Sequence, residues 1–278
     1  MVSDPIELLA KSICQKENYS FQAPCGAGAF KRTFRVSNGK EDLALKIIVG
    51  VISPERIARE INALKKCDHP NISKLLSVGE HDLNGTKVVY LTEEYLPGGM
   101  LTDRLKAAAL SLTVGKAFAL AMVDAIDHLR SHSIVHRDIK PDNVMYRADG
   151  TPVLVDLGIA RVLSQPSLTQ DHLARGPGTP IFASPEQLVN DKYLIDWRAD
   201  QFSLGITLSI AILGIHPYAV SNNHGETIDR MSQRMATSTQ FDTAASANSL
   251  AMLKQMVEPW PIKRFRTAHE LRQAWSAP

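Results

Sequence analysis

The sequence is poor in the features that mark several large protein classes. It holds only three cysteines, Cys14, Cys25 and Cys67. An odd number at wide spacing supports neither a disulfide framework nor a zinc-ligand pattern, and it fits a reducing cytosol. Neither sign of charge is in excess. With 31 Lys and Arg against 29 Asp and Glu, the formal net charge of +2 gives no reason to invoke nucleic acid or an anionic membrane. No apolar run reaches the roughly 20 residues that a bilayer span needs. The longest candidate, Phe202 to Ile215, is interrupted by Ser203, Gly205, Thr207 and Ser209 and reads as a buried core helix. Asp4 and Glu7 interrupt an N-terminus that has no basic start, so Met1 to Ile13 does not read as a signal peptide. Repeats, low-complexity tracts and linkers are missing too. What is left, 44% hydrophobic and 22% charged over 278 residues, is an ordinary soluble composition with enough chain for one large domain or two joined lobes.

Against that plain background one stretch stands out: His136-Arg137-Asp138-Ile139-Lys140-Pro141-Asp142-Asn143, followed by Asp156-Leu157-Gly158. Asp138 can accept a hydroxyl proton. Asn143 and Asp156 offer the oxygen ligands that Mg²⁺ prefers, and Lys140 adds a fixed cation. Two acids and an amide in this order suit phosphoryl transfer from Mg-ATP to a hydroxyl.

Eight residues in register, with the second motif thirteen residues after Asn143, resemble the catalytic and metal-binding loops of eukaryotic-type Ser/Thr protein kinases. The resemblance runs from about residue 19 to 275. It implies an α+β, bilobal fold: a small antiparallel sheet with one key helix, a larger mainly helical lobe, and ATP between them. The implied divisions are a lead-in at 1–18 and a kinase domain at 19–278. Within that domain the N-lobe runs over about 19–94, a hinge over 94–97, and the C-lobe over about 98–276.

Taken in order, Cys25 to Val36 resembles the glycine-rich loop. Gly26, Ala27 and Gly28 would bring backbone N–H groups to phosphate. Lys31 stands at the third glycine position and Thr33 where valine usually roofs adenine. Lys31 reads either as an exposed loop lysine or as a phosphate-binding cation, as in the "with no lysine" kinases. Leu43 to Val49 is an apolar run of strand length containing Lys46, which needs a partner if buried. Ser53, Pro54 and the stripe Ile57, Ile61, Leu64 predict a helix carrying Glu60. By resemblance Lys46 binds the α- and β-phosphates and Glu60 holds it, the alternative being a surface Glu60. Ala44 and Met145 would enclose adenine.

Val88 to Leu96 reads as a strand ended by Pro97-Gly98-Gly99. The resemblance makes Glu94 to Leu96 the hinge and puts Glu93 at the gatekeeper, unless the alignment slips by one residue. An acid there calls for a cation, and Glu93 is expected to compete with Glu60 for Lys46. Leu101 to Ala109 and Leu112 to Ser131 read as helices, and Val153 to Val155 as a buried strand delivering Asp156.

Ile159 to Gly178 resembles an activation loop, with Ser164, Ser167 and Thr169 as candidate phosphosites and Arg137 as the residue that would receive the phosphate. Gly178 to Glu186 resembles the substrate-binding segment, with Thr179 bonding Asp138 and Lys140. Lys140 is a serine/threonine signature, since tyrosine kinases usually carry arginine and alanine in this loop. Asp200 looks like the anchor of the catalytic-loop backbone, Gly214 marks a helix end, and Arg264 pairs with Glu186 or is one solvated cation among three.

The implied function is transfer of the ATP γ-phosphoryl group to Ser/Thr hydroxyls of protein substrates in the cytoplasm, with activation-loop autophosphorylation. The implied cofactors are ATP and Mg²⁺, with Mn²⁺ as a substitute. A regulatory protein or phosphatase is an implied partner, and nucleic acid and membrane are not. Lys31, Thr33 and Glu93 perturb the nucleotide pocket and leave open a second reading, a pseudokinase acting as a scaffold.

Overall fold

Alternating apolar residues in Lys31–Ser37 and a nearly continuous apolar run in Asp42–Ile48 dictate neighbouring strands, one half-covered and one central. In the computed structural model they are β2 and β3 of a five-stranded antiparallel sheet. The structure describes residues 4–27, 31–49, 54–83, 85–157, 161–162 and 179–277, without the side chains of 56, 59, 60, 161 and 162. The chain forms two compact units, residues 1–68 with 73–97 and residues 69–72 with 98–278.

In the first unit the sheet order is β1-β2-β3-β5-β4, where β1 is Ser20–Ala27, β4 Leu75–Leu83 and β5 Thr86–Glu94. Its register sets two rows that matter below. Gly26, Thr33, Lys46 and Leu91 lie side by side, and two residues along the strands so do Arg35, Ala44, Glu93 and Leu75. Gly79 faces Tyr90 across the β4–β5 pair, where an added Cβ would fall 2.2 Å from the tyrosine ring. Helix α2 spans Pro54–Lys66 and buries Ala63 and Leu64.

The lead-in at 1–18 is largely an ordered helix that belongs to the core. Asp4 caps α1 (Pro5–Glu17) by accepting the Ile6 N–H, Pro5 suits the first turn, and Asn18 closes the helix in the left-handed region. Its face of Leu9, Ala10, Ile13 and Cys14 packs with Phe34, Val36, Leu43, Leu45, Ile47 and Tyr90. Glu17 accepts the Tyr90 hydroxyl at 2.5 Å, and Lys16 reaches the Glu80 carbonyl at 2.7 Å. Burial pushes the Cys14 thiol up to about 11, so it stays a protonated core residue. Ile13→Ala should therefore cost about 2–5 kcal/mol in a urea titration, while Leu8→Ala on the open side should stay within about 0.5.

The second unit is mainly helical. It contains α3 (Leu101–Ala107), α4 (Leu112–Ser131), α5 (Pro185–Leu188), α6 (Trp197–Leu213), α7 (His224–Ser232), α8 (Thr239–Ala247), α9 (Ala251–Met256) and α10 (Ala268–Ser276). Ser111 caps α4 through the Val114 N–H, and Phe118, Met122, Ile126 and Leu129 form its buried face. The apolar run at Phe202 lies in α6, which is buried nearly all round and so shows no amphipathic pattern. Its hydroxyls turn back on their own helix or its end: Ser203 donates to Ala199 O, Thr207 to Ser203 O and Ser209 to Ile215 O. Gly214, at φ 67°, closes it. No helix among the described residues is long and apolar enough to cross a membrane.

Two short pairings shape the loops of this unit: β6 (Ile134–Val135) with β9 (Arg161–Val162), and β7 (Val144–Tyr146) with β8 (Pro152–Leu154). Residues 69–72, placed by the sequence reading within the first lobe, group here instead. Leu154 N donates to Asn71 O at 2.8 Å, and Asn71 Nδ2 donates to Pro152 O at 2.7 Å.

Candidate active site

The stretch singled out in the sequence is a loop between β6 and β7 whose backbone is fixed from outside. Asp200, buried on α6, accepts the His136 N–H on Oδ2 and the Arg137 N–H on Oδ1, both at 2.8 Å. Burial pushes the Asp200 carboxyl above its usual range, and the two N–H donors act in the opposite direction. From the other side Gln187 Nε2 donates to Arg137 O at 2.8 Å. Arg137 is thereby held at φ 72°, a left-handed conformation that a non-glycine residue keeps only when its surroundings enforce it. His136 completes the frame: Nε2 donates to Val155 O at 3.2 Å, and Nδ1 accepts the Asp138 N–H at 3.3 Å.

These constraints aim one carboxylate. Asp138 Oδ1 accepts the Thr179 N–H at 2.9 Å. Its Oδ2 accepts from Asn143 Nδ2 and Lys140 Nζ, each at 3.0 Å. Lys140 also donates to Thr179 Oγ1 at 2.5 Å. Asp138, Lys140, Asn143 and Thr179, four of the residues singled out, thus share one network. Asp156 is brought beside it by backbone pairing, because Val155 N donates to Asn143 O at 2.9 Å. Asp156 is the second non-glycine residue here in the left-handed region, at φ 67°.

The Asn143 amide nitrogen donates to Asp138 twice, to the backbone O at 2.8 Å and to Oδ2 at 3.0 Å. An amide oxygen and a carboxylate at the adjoining ends of two paired strands are a donor set that fits a hard divalent cation completed by phosphate oxygens.

The segment from Thr179 is anchored as firmly. Ser184 and Gln187 form a reciprocal cap on α5, and His216 donates from Nε2 to Ile181 O at 2.8 Å while its Nδ1 accepts the Tyr218 N–H at 3.1 Å. Burial lowers the His216 pKa from 6.5 to about 4. The unfolded chain takes this proton near 6.5 and the native one only near 4. Stability is therefore full above pH 6.5 and falls as the pH drops toward 4, by at most roughly 3 kcal/mol since part of the ring meets water. Urea midpoints at pH 7 and pH 5 should differ more for the wild type than for His216→Gln.

Glu186 and Arg264 form a bidentate pair with both side chains fully buried, at 2.6 and 3.0 Å. The other guanidinium N–H groups donate to Glu258 O, Arg198 O and Pro259 O. All five donors are used.

In the first unit the resemblance assigned Lys46 to Glu60. The Glu60 side chain lies outside the described residues, and the acid that the structure puts on Lys46 is Glu93, at 2.8 Å. Ser73 Oγ donates to the same Glu93 oxygen at 2.5 Å. Lys31 does not sit at a loop tip: it opens β2, in register with Ile48. Gly26 and Ala27 end β1, Thr33 pairs with Lys46, Ala44 lies in β3, Glu94 ends β5, Leu96 is buried, and Met145 lies in β7 of the second unit. Gly28, Ser53, Ser164, Ser167 and Thr169 fall outside the described residues.

Sequence reasoning missed Gln187, Ser73 and His216. The Ser184-x-x-Gln187 spacing is a capping-box signature and could have drawn attention to Gln187. Nothing local marks the other two.

A two-unit fold of this kind, with this loop, defines a protein kinase. The chain belongs to the protein kinase domain family, whose profile matches residues 19–276. Among curated relatives it is 30% identical over 264 residues to the probable serine/threonine-protein kinase MARK-C of Dictyostelium discoideum, covering 92% of this chain and 32% of that one. It is 27% identical over 259 residues to the CBL-interacting serine/threonine-protein kinase 15 of Arabidopsis thaliana, covering 90% and 59%. A probable serine/threonine-protein kinase of Streptomyces coelicolor is 27% identical over 230 residues, covering 78% and 32%. The chain thus spans between about a third and three fifths of the length of these relatives.

Proposed function

We propose that the chain is an active serine/threonine protein kinase, transferring the γ-phosphoryl group of ATP to Ser and Thr hydroxyls of cytoplasmic proteins and to itself. The observation that carries this reading is the network of Lys140, Asn143 and Thr179 around Asp138. A carboxylate held on both oxygens is a positioned proton acceptor for an incoming hydroxyl. Lys140, 3.0 Å from it, offsets negative charge on the group in flight. Thr179 fixes the wall against which a substrate chain would lie.

Lys46 supplies the cation for the α- and β-phosphates, with Glu60 its candidate helix partner. The backbone of Gly26, Ala27 and Gly28 cradles the phosphates, with Lys31 at their edge. Thr33, Ala44, Glu94 and Leu96 are the candidate adenine contacts of the first unit and Met145 that of the second. Asn143 and Asp156 would hold Mg²⁺ or Mn²⁺, which when bound neutralises phosphate charge. Arg137 and the candidate phosphosites Ser164, Ser167 and Thr169 make loop autophosphorylation part of this reading, opposed in the cell by a phosphatase. Positioning and charge complementarity do most of the chemical work in such a site.

Incubation with Mg-ATP labelled on the γ-phosphoryl group and a basic acceptor protein, followed by acid hydrolysis, tests the reading. Label in phosphoserine or phosphothreonine is the expected result. Label in neither protein contradicts it, and would favour the scaffold alternative that Glu93 and Lys31 keep in view.

A further inference from the structure

The ion pair between Lys46 and Glu93 joins two neighbouring strands diagonally. Lys46 stands in the strand row that contains Gly26 and Thr33, close to the end of β1 at Ala27 and the start of β2 at Lys31. Glu93 stands opposite Ala44, in the row two residues further from those strand ends. Two residues of strand amount to roughly 7 Å. The 2.8 Å contact between Lys46 Nζ and Glu93 Oε2 is therefore a diagonal one, directed toward the row of Ala44 and not along the row of Gly26 and Thr33.

The acid is fixed where it is. Its side chain is only 2% exposed, against 13% for Lys46, and Ser73 Oγ donates to the oxygen that the ammonium contacts. A carboxylate this buried is held by its donors, so the pair closes with the lysine moving and the acid staying.

We infer that Glu93 is a positioning residue that competes with the nucleotide's phosphates for Lys46, holding the ammonium on the Ala44 row until a triphosphate draws it away. This rests on the proposed function, in which Lys46 is a phosphate ligand, and adds a resting state to it. Binding competence is then divided between a state with Lys46 on Glu93 and one with it released. If about nine molecules in ten hold the pair, apparent affinity for a phosphate-bearing ligand is lowered about tenfold. A ligand without phosphate is unaffected.

That asymmetry supplies the test. Calorimetric titration with Mg-bound β,γ-imido-ATP and with adenosine would be run on the wild type, Glu93→Gln, Glu93→Met and the double variant Glu93→Gln with Lys46→Ala. Glu93→Gln keeps the size and the Ser73 contact, and Glu93→Met removes the polar group, so both guard against a folding defect in one. The expected result is imido-ATP binding about tenfold tighter in both single variants, adenosine within about twofold, and the gain lost in the double variant. Unchanged or weaker imido-ATP binding in Glu93→Gln overturns the inference, as does an equal gain for adenosine. If the wild type binds and turns over ATP but Glu93→Gln gains nothing, this inference alone fails. If no variant binds nucleotide and none transfers phosphate, the proposed function fails with it.

Discussion

Asp138→Asn is expected to lower turnover about a thousandfold while leaving the fold intact. The substitution keeps a planar group of the same size, so Thr179 N–H and part of the Asn143 and Lys140 network can still be satisfied. What it removes is basicity. A positioned proton acceptor contributes about 10²–10⁴ in rate, and a thousandfold loss is about 4 kcal/mol of transition-state stabilisation. Because the Asp138 and Lys140 side chains are both partly open to water, the stability change should stay under about 1 kcal/mol, or under about 4 °C in melting temperature. Initial rates and melting curves on the same preparations check both halves. A variant that is inactive because it is unfolded would not bear on the chemistry.

The second large effect is on stability. Arg264→Ala should destabilise the second unit by about 3–5 kcal/mol, because it leaves Glu186 buried with no cation and strands three carbonyls, Glu258, Arg198 and Pro259. Arg264→Lys should recover little. A lysine has three donors on one point and cannot serve five acceptor directions spread around a planar fork. Since Glu186 precedes Gln187, which holds the Arg137 carbonyl, the loss should reach the loop carrying Asp138. Urea midpoints and hydrogen exchange at residues 136–143 would register it.

How much of this was legible in the sequence depended on whether a signal was local. Helix α4 was placed at Leu112 to Ser131 because its cap and apolar stripe lie within its own twenty residues. Strand β3 announced itself by an apolar run, and Gly214 by the left-handed turn it permits. The edge strand β4 gave no signal: Leu76, Val78 and Glu80 point to solvent, so its pattern is not that of a buried strand. Helix α1 read as a lead-in because its partners, from Phe34 to Tyr90, are distant in sequence.

The same division holds within the candidate site. Residue types that do chemistry were visible in the order Asp138, Lys140, Asn143, Asp156. Of the contacts that orient them, that of Asp200 was reached only through the resemblance, and that of Gln187, which holds the loop from 50 residues away, was not legible at all. Choice among ion-pair partners is the extreme case. A buried lysine demanded an acid and the sequence offered two, Glu60 and Glu93; the register of β3 against β5 puts Glu93 within reach of it.

The central claim is that Asn143 and Asp156 serve one divalent cation on the nucleotide handled by Asp138. Phosphoryl transfer by Asp156→Asn, measured across a magnesium titration beside the wild type, tests it most directly. The account predicts a folded variant whose transfer is about a hundredfold or more below wild type at every magnesium concentration. A folded Asp156→Asn protein with the rate and magnesium dependence of the wild type would contradict it.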